Sequence, residues 1–458
     1  MPDEPARRFE RAAPFVIAGL VLVVFANAAN GIFVFDDIGD ITANPSAKAE
    51  TFFARLGVMN RPLTKASYAL QDLVHGPWAA GYHAVNVALH AVATVMAFGL
   101  LRRALRFAGS SGSAATTVAF AVTALWAVHP ALTETVTYVS GRSMGVSSCF
   151  VLGMLLAATG ERTTGNRLIA VACAVLAPLA RETALIAPVM LLWWQLTVQP
   201  SESLAISLRR FTPVLIGAAI AAIVILALPR HTALIGDSLA RRAPPDALLG
   251  NLHAATDILS YWVTPWRVTI DPPTPLAWGW SDARTLAKLA LFAGLALAAL
   301  ALRRRAPVFA LGIGLALLAL APSNTLLWRA DPVALKPLYL GGLGLTLAAS
   351  MLLLRLAGNS RAALSFLATV ALFGTVLLGS HTVARNALFA DEVALWRDAA
   401  DKAPDYGRPW IMLGYALFNE GRYAEAEAAL RRGCDLDPLD EQGAKALGLV
   451  QAILANAR

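Results

Sequence analysis

The sequence predicts an all-α fold: a polytopic bundle of about eleven membrane helices, followed by a short soluble helical domain. Hydrophobic residues make up 57% of the chain and charged residues 15%, with a mean hydropathy of +0.58, whereas a soluble domain carries about 25% charged residues. The apolar residues also gather in runs near the ~20 that a helix needs to cross a bilayer. After about Ala390 the composition turns soluble and a helical repeat spacing takes over.

Spans are expected near residues 14–33, 82–101, 114–130, 144–160, 167–181, 183–198, 211–228, 284–302, 306–322, 337–356 and 361–380. The fifth and sixth are the shortest. The charged stretch Met1–Ala13 precedes an apolar run as in a signal peptide, but no clear cleavage site follows, so this run is read as an uncleaved first span. Basic residues then set the orientation. With the N-terminus inside, the short cytoplasmic pieces hold Arg7, Arg8 and Arg11; Arg102, Arg103 and Arg106; Arg162 and Arg167; Arg209 and Arg210; Arg303, Arg304 and Arg305; Arg355 and Arg361. The expected topology is N-in and C-out in a cytoplasmic (inner) membrane, with the tail outside. The net charge of +8 and pI near 9.7 come from bases dispersed in these loops, which speaks for membrane topology and against nucleic acid. Cys149 and Cys173 fall in apolar runs and Cys434 stands alone in the tail, so the cysteines offer no disulfide framework.

The first outer loop, residues 36–81, carries two apolar patterns at helical spacing, one on Phe52, Phe53, Leu56 and Met59, the other around Tyr68, Leu70 and Leu73. They are expected as amphipathic helices in the interface or as a small packed subdomain. The second, residues 229–282, is rich in Pro and Trp. Trp262, Trp266, Trp278 and Trp280 suit a membrane-interface belt or a sugar platform, the belt being the safer reading.

With this topology the unusual polar residues converge on the outer side. Asp36 and Asp37 follow the first span, where ionised carboxylates belong at the interface or in a wet cavity. There they can bind a divalent metal, deprotonate an acceptor or hold a cation. The bland reading is a helix-end cap with a solvated neighbour. His129 with Glu134 and Arg142, Arg181 with Glu182, Asn324 with Lys336, and Arg385 join them. Each has its own bland reading: Arg181–Glu182 as a local ion pair, His129 as a helix-end residue, Arg142 as a headgroup anchor.

In the tail, Trp410, Leu413 and Gly414 open a tetratricopeptide repeat, and Gly421, Tyr423, Ala426 and Pro438 fall at the required spacing. Trp396, Ala399 and Pro404 fit the second helix of a preceding unit; Leu447 and Gly448 fit the first helix of another. Such arrays bind peptide or protein, or here cap the membrane domain. The expected domains are residues 1–390 and 391–458.

The stretches FVFDDIGDITANP (Phe33–Pro45), RPLTKASYAL (Arg61–Leu70), GYHAVNVALHA (Gly81–Ala91), HPALTETVTYVSGR (His129–Arg142), ARETAL (Ala180–Leu185), APSNTLLW (Ala321–Trp328) and RNALFADEVALW (Arg385–Trp396) occur in this order. In them the chain resembles the transmembrane and tetratricopeptide-repeat O-mannosyltransferases, multispan glycosyltransferases of the C superfamily. It departs from them at Leu335-Lys336-Pro337, where that family tends to have Glu-Arg, and its repeat array is far shorter than in animal members, as expected of a bacterial-type homologue. The resemblance implies an inverting transfer of mannose or a similar sugar from a polyprenyl-phosphate donor to a Ser or Thr hydroxyl of a protein. Asp36 or Asp37 would be the base. Arg142, Arg181, Lys336 and Arg385 would receive the donor phosphate, with His129, Glu134, Glu182 and Asn324 in support. No cofactor is called for with certainty; a divalent metal at Asp36 and Asp37 stays open. The competing readings are a lipid-linked sugar transporter or flippase, a non-catalytic scaffold, and a related transferase acting on a lipid or glycan.

Overall fold

The computed structural model describes residues 4–199, 203–274, 279–324, 329, 331–358 and 360–456. Trp278 and residues 325–328 of the APSNTLLW stretch lie outside the described residues. No strand occurs among the described residues. The membrane region contains α1 (Glu4–Val24), α2 (Pro62–His75), α3 (Ala79–Phe107), α4 (Gly112–Ala127), α5 (Thr133–Val136), α6 (Arg142–Thr159), α7 (Thr164–Ala180), α8 (Ala187–Val198), α9 (Leu204–Ala227), α10 (Pro229–Arg241), α11 (Pro244–Val263), α12 (Ala283–Leu302), α13 (Pro307–Leu320), α14 (Leu338–Ala357) and α15 (Arg361–Leu388). The tail holds α16 (Glu392–Lys402), α17 (Gly407–Asn419), α18 (Tyr423–Leu436) and α19 (Glu441–Asn456).

Each of the eleven apolar runs coincides with a helix. Among the described residues seven helices are long and apolar enough to cross a membrane, and an eighth counts if α4 and the 130–136 segment, bent by 60° at the break between them, form one span. The other three, Thr164–Ala180, Glu182–Val198 and Pro307–Leu320, are shorter apolar helices. The chain is thus a multi-pass membrane protein. Its α6 is central and its α15 peripheral: 61% of the α6 span window is buried against 6% for α15. Close approach needs small residues where lipid-facing helices gain little from apolar burial. At the α13–α14 crossing a Cβ on Gly312 would lie 2.6 Å from the Gly344 carbonyl oxygen, and one on Gly344 would lie 2.4 Å from that of Gly312.

In loop 36–81 the Leu63–Val74 pattern forms α2, whose Leu70, Leu73 and Val74 remain exposed beside Trp78. The Phe52–Met59 pattern is not a helix: it folds as successive turns around a short 3-10 segment, Phe53–Arg55. Pro45, Gly57 and Pro62 confine it to too few residues to repay helix nucleation, and Asp72 of α2 holds its start through Lys48 Nζ and the Ala49 amide, both at 3.1 Å. Loop 229–282 is also helical over α10 and α11.

The repeat domain does not hang free. Its core, built on Trp396, Ile411, Leu413 and Leu430, is continuous with Val34, Tyr138 and Ile270 of the membrane region. Arg408 grips Asp271 with two nitrogens and reaches Asp331 at 2.7 Å, while Lys402 donates to the Val268 carbonyl at 2.8 Å. Gly414 is obligatory inside the repeat, since a Cβ there would meet Leu430 Cγ at 2.5 Å.

Candidate functional site

The polar convergence expected from the sequence is found at the end of the bundle that carries the repeat domain. It is assembled from the loop after α1, the N-terminal ends of α2 and α3, the elbow 128–141 between α4 and α6, the α7 C-terminus, the loop before α14 and the end of α15.

The two readings of the carboxylate pair divide between its members. Asp37 is fully buried, and its oxygens accept from the amides of Val34 at 3.2 Å and Ser140 at 2.7 Å. Burial pushes its carboxyl up to about 7, although both amides pull it down. Asp36 is exposed, and its own amide donates to the Tyr138 hydroxyl at 2.9 Å. The preceding Phe35 sits at φ 47° and Arg61 at φ 51°, the non-glycine residues with positive φ among those described. Such backbone persists only where its surroundings enforce it. Here Phe35 packs edge-on against the Trp396 ring at 5.3 Å. Asp37, Tyr138 and Trp396 together therefore fix where Asp36 points.

The cations also divide. Arg142 is fully buried: Nε donates to Asn86 Oδ1 at 2.8 Å, one terminal nitrogen to the Tyr82 carbonyl at 2.9 Å, the other to Ser67 Oγ at 3.5 Å. Its guanidinium lies over the rings of Tyr68 and Tyr82 at 4.6 and 5.2 Å. Arg385 is likewise engaged, by Thr133 at 3.0 Å, the Val268 carbonyl at 2.8 Å and Asp398 at 3.3 Å. Both act as struts. Arg181 is 2% exposed and donates to Ser143 Oγ at 3.0 Å, but its Nε has no partner among the described residues. Burial, then the like charge of Arg61, holds its guanidinium below the ordinary value, and Arg329 adds to this. A guanidinium stays protonated in proteins, so Arg181 is a buried cation beside two others, Arg61 and Arg329, with Glu182 and Glu134 opposing them. Lys336 lies 3.8 Å from Glu134 and over the Tyr138 ring at 5.3 Å. Burial lowers it and Glu134 raises it, with Arg181 lowering it and Asp36 raising it further.

Of the supporting residues, Glu134 and Glu182 belong to the charged cluster. Glu182 binds Arg61 through both oxygens, at 2.9 and 2.6 Å. His129 and Asn324 are anchors. His129 Nδ1 accepts from the Ala131 amide, Nε2 meets the Trp262 carbonyl at 3.0 Å, and the ring stacks on Trp262 at 3.7 Å; Asn324 donates to the Pro332 carbonyl at 3.2 Å. Trp262 thereby belongs to the core, whereas Trp266 is 60% and Trp280 40% exposed. Both oxygens of Asp37 already accept from backbone amides. No group of three or more His, Cys, Asp or Glu side chains among the described residues is placed to hold an ion. Sequence reasoning did not single out Arg61, Tyr138, Arg329 or Trp396 for the site. Arg61 and Tyr138 stood in quoted stretches; Arg329 had no signal, since only the fold brings it to Arg181.

Fold and site thus define an all-helical multi-pass membrane protein with a half-buried charged cluster at one end, walled by a helical repeat. A family model for the tetratricopeptide repeat matches residues 407–450. The chain's homologues are protein O-mannosyl-transferases: it is 32% identical to Tmtc1 of Drosophila melanogaster over 37% of this chain and 21% of that one. It is 31% identical to TMTC3 of Homo sapiens over 34% and 18%, and 28% identical to TMTC4 of Mus musculus over 34% and 24%. The matched region spans about a fifth of the length of these relatives. No solved structure matches.

Proposed function

We propose that the chain is a glycosyltransferase that moves mannose or a similar sugar from a polyprenyl-phosphate donor to a Ser or Thr hydroxyl of a protein, with inversion, on the extracytoplasmic side. The observation that carries this reading is an exposed carboxylate, Asp36, in the same polar cluster as Arg181, whose Nε has no partner among the described residues, and Lys336, whose carboxylate neighbour Glu134 lies at 3.8 Å. The names of the homologues supply the reaction class.

In this mechanism Asp36 takes the proton of the acceptor hydroxyl as its oxygen attacks the anomeric carbon. The bond from that carbon to the phosphate oxygen breaks on the opposite face, and its electron pair leaves with the polyprenyl phosphate. Arg181 and Lys336, backed by Arg61 and Arg329, stabilise the charge that grows there, which in a poorly solvated site is worth more than in water. Glu134 holds Lys336 until the anion arrives. Arg142 and Arg385 act as positioning residues. The repeat, seated beside Asp36, presents the acceptor.

The test is to supply radiolabelled mannosyl polyprenyl phosphate to membranes containing the chain. Label in protein supports the reading. Label only in lipid or glycan would favour the related transferase, and label left on the carrier would refute transfer of this sugar.

A further inference from the structure

A second charged site lies at the other end of the same helices. On α6, Arg142 of the first cluster and Thr159 of the second sit at opposite termini, about 25 Å apart at ~1.5 Å per residue. There a surface-open cavity of about 970 Å³ is lined by Arg103, Arg106, Arg162 and Arg210, with Glu161 as the carboxylate among its lining residues and Phe107 at its side. Loop charge that merely sets topology needs neither a cavity nor fixed geometry.

Two of these arginines are fixed by the end of α6. Arg103 donates to the Leu156 carbonyl at 2.5 Å and to Thr159 Oγ1 at 2.9 Å, and Arg210 donates to the Ala158 carbonyl at 2.7 Å. The helix C-terminus attracts them through its partial negative charge and open carbonyls. Gly160 keeps the Leu156 carbonyl open to Arg103, since a Cβ there would lie 3.0 Å from that oxygen. Arg106 remains 47% exposed, with Glu10 at 3.9 Å, and Phe107 is 51% exposed. The cavity therefore combines pre-positioned guanidiniums, a net excess of positive charge and an apolar neighbour at the edge of the bundle. Arginine forks match phosphate oxygens in pairs, and anionic headgroups lie at this depth of a bilayer.

We propose that this cavity binds the phosphate-bearing headgroup of an anionic membrane lipid, independently of the transferase site. Arg103 and Arg210 form its floor, Arg162 lines its wall, and Arg106 stands at its open rim. Bound lipid would tie α3, α6 and α9 together at this end.

The test uses the full chain in nanodiscs of phosphatidylcholine doped with phosphatidylglycerol, read by native mass spectrometry for retained lipid. The double variant Arg106→Gln/Arg162→Gln leaves the helix-capping arginines alone. It should lower phosphatidylglycerol retention about tenfold or more, since charge-assisted hydrogen bonds are lost. Arg304→Gln, at the same end but outside the cavity lining, should leave it unchanged, and Arg162→Lys should restore part of the loss. Retention in the double variant equal to the wild type, or an equal loss in Arg304→Gln, would overturn the proposal. Displacement of the lipid by millimolar inorganic phosphate would overturn the assignment to a lipid headgroup and make the site one for free phosphate. Circular dichroism of the double variant confirms that any loss is not unfolding.

Discussion

Asp37 keeps its proton to about pH 7 in the folded chain against an ordinary value of 3.8. Between these values the folded state binds more protons than the unfolded one, so stability should fall as pH rises from about 4 to about 7. Asp37→Asn removes this titration, and its unfolding midpoint should vary less over that window than that of the wild type. Equal pH slopes would show that Asp37 does not titrate there. For the cations the account predicts a split. Arg181→Ala should raise the donor KM about tenfold to 100-fold, the scale of lost charge-assisted hydrogen bonds, with the fold intact. Arg142→Ala should instead lower thermal stability, because it removes the guanidinium between Tyr68 and Tyr82. An intact fold and a selective donor defect in Arg142→Ala would reverse these roles. The residue types of the site were legible in the sequence, but the division of labour was not. Which aspartate is exposed depends on the Ser140 amide, and which arginine is occupied depends on Asn86 and two tyrosine rings, all set by packing between distant segments.

Among the elements, the elbow 128–141 does most to shape the site, for it supplies His129, Glu134, Tyr138 and the Ser140 amide. Its tightness rests on Gly141, where a Cβ would lie 2.3 Å from the Glu134 carbonyl oxygen. Gly141→Ala should therefore cost about 1–3 kcal/mol by overpacking, displace the Ser140 amide from Asp37, and reduce transfer more than it reduces the unfolding midpoint. Wild-type transfer and stability in this variant would show that the elbow yields without cost. The apolar runs located the membrane helices because a hydrophobic run and a helix of the same length are one signal, but they missed the 20-residue α11 (Pro244–Val263), which lies in a stretch read as a loop. The Phe52–Met59 turns were misread because helical spacing of four apolar residues says nothing about the breakers beside them. The repeat was legible from its small residues, Gly414 and Ala426, which fall where helices touch.

For the whole molecule, polar cluster and repeat share one end and the arginine-lined cavities the other, an asymmetry the basic residues of the sequence already indicated. What the sequence did not reveal is that the repeat is part of the site's wall, through Trp396 on Phe35. Topology is open to a direct test. Leu439, 90% exposed in the repeat, changed to Cys should react with a membrane-impermeant maleimide in intact spheroplasts; labelling only after lysis would place the repeat in the cytoplasm. The central claim is that Asp36 is the base of a sugar transfer, and the measurement is turnover of Asp36→Asn beside donor binding. The account predicts a loss of about 100-fold or more in turnover, the scale of general-base catalysis, with donor affinity and unfolding midpoint near those of the wild type. Turnover near the wild-type rate in Asp36→Asn would contradict it.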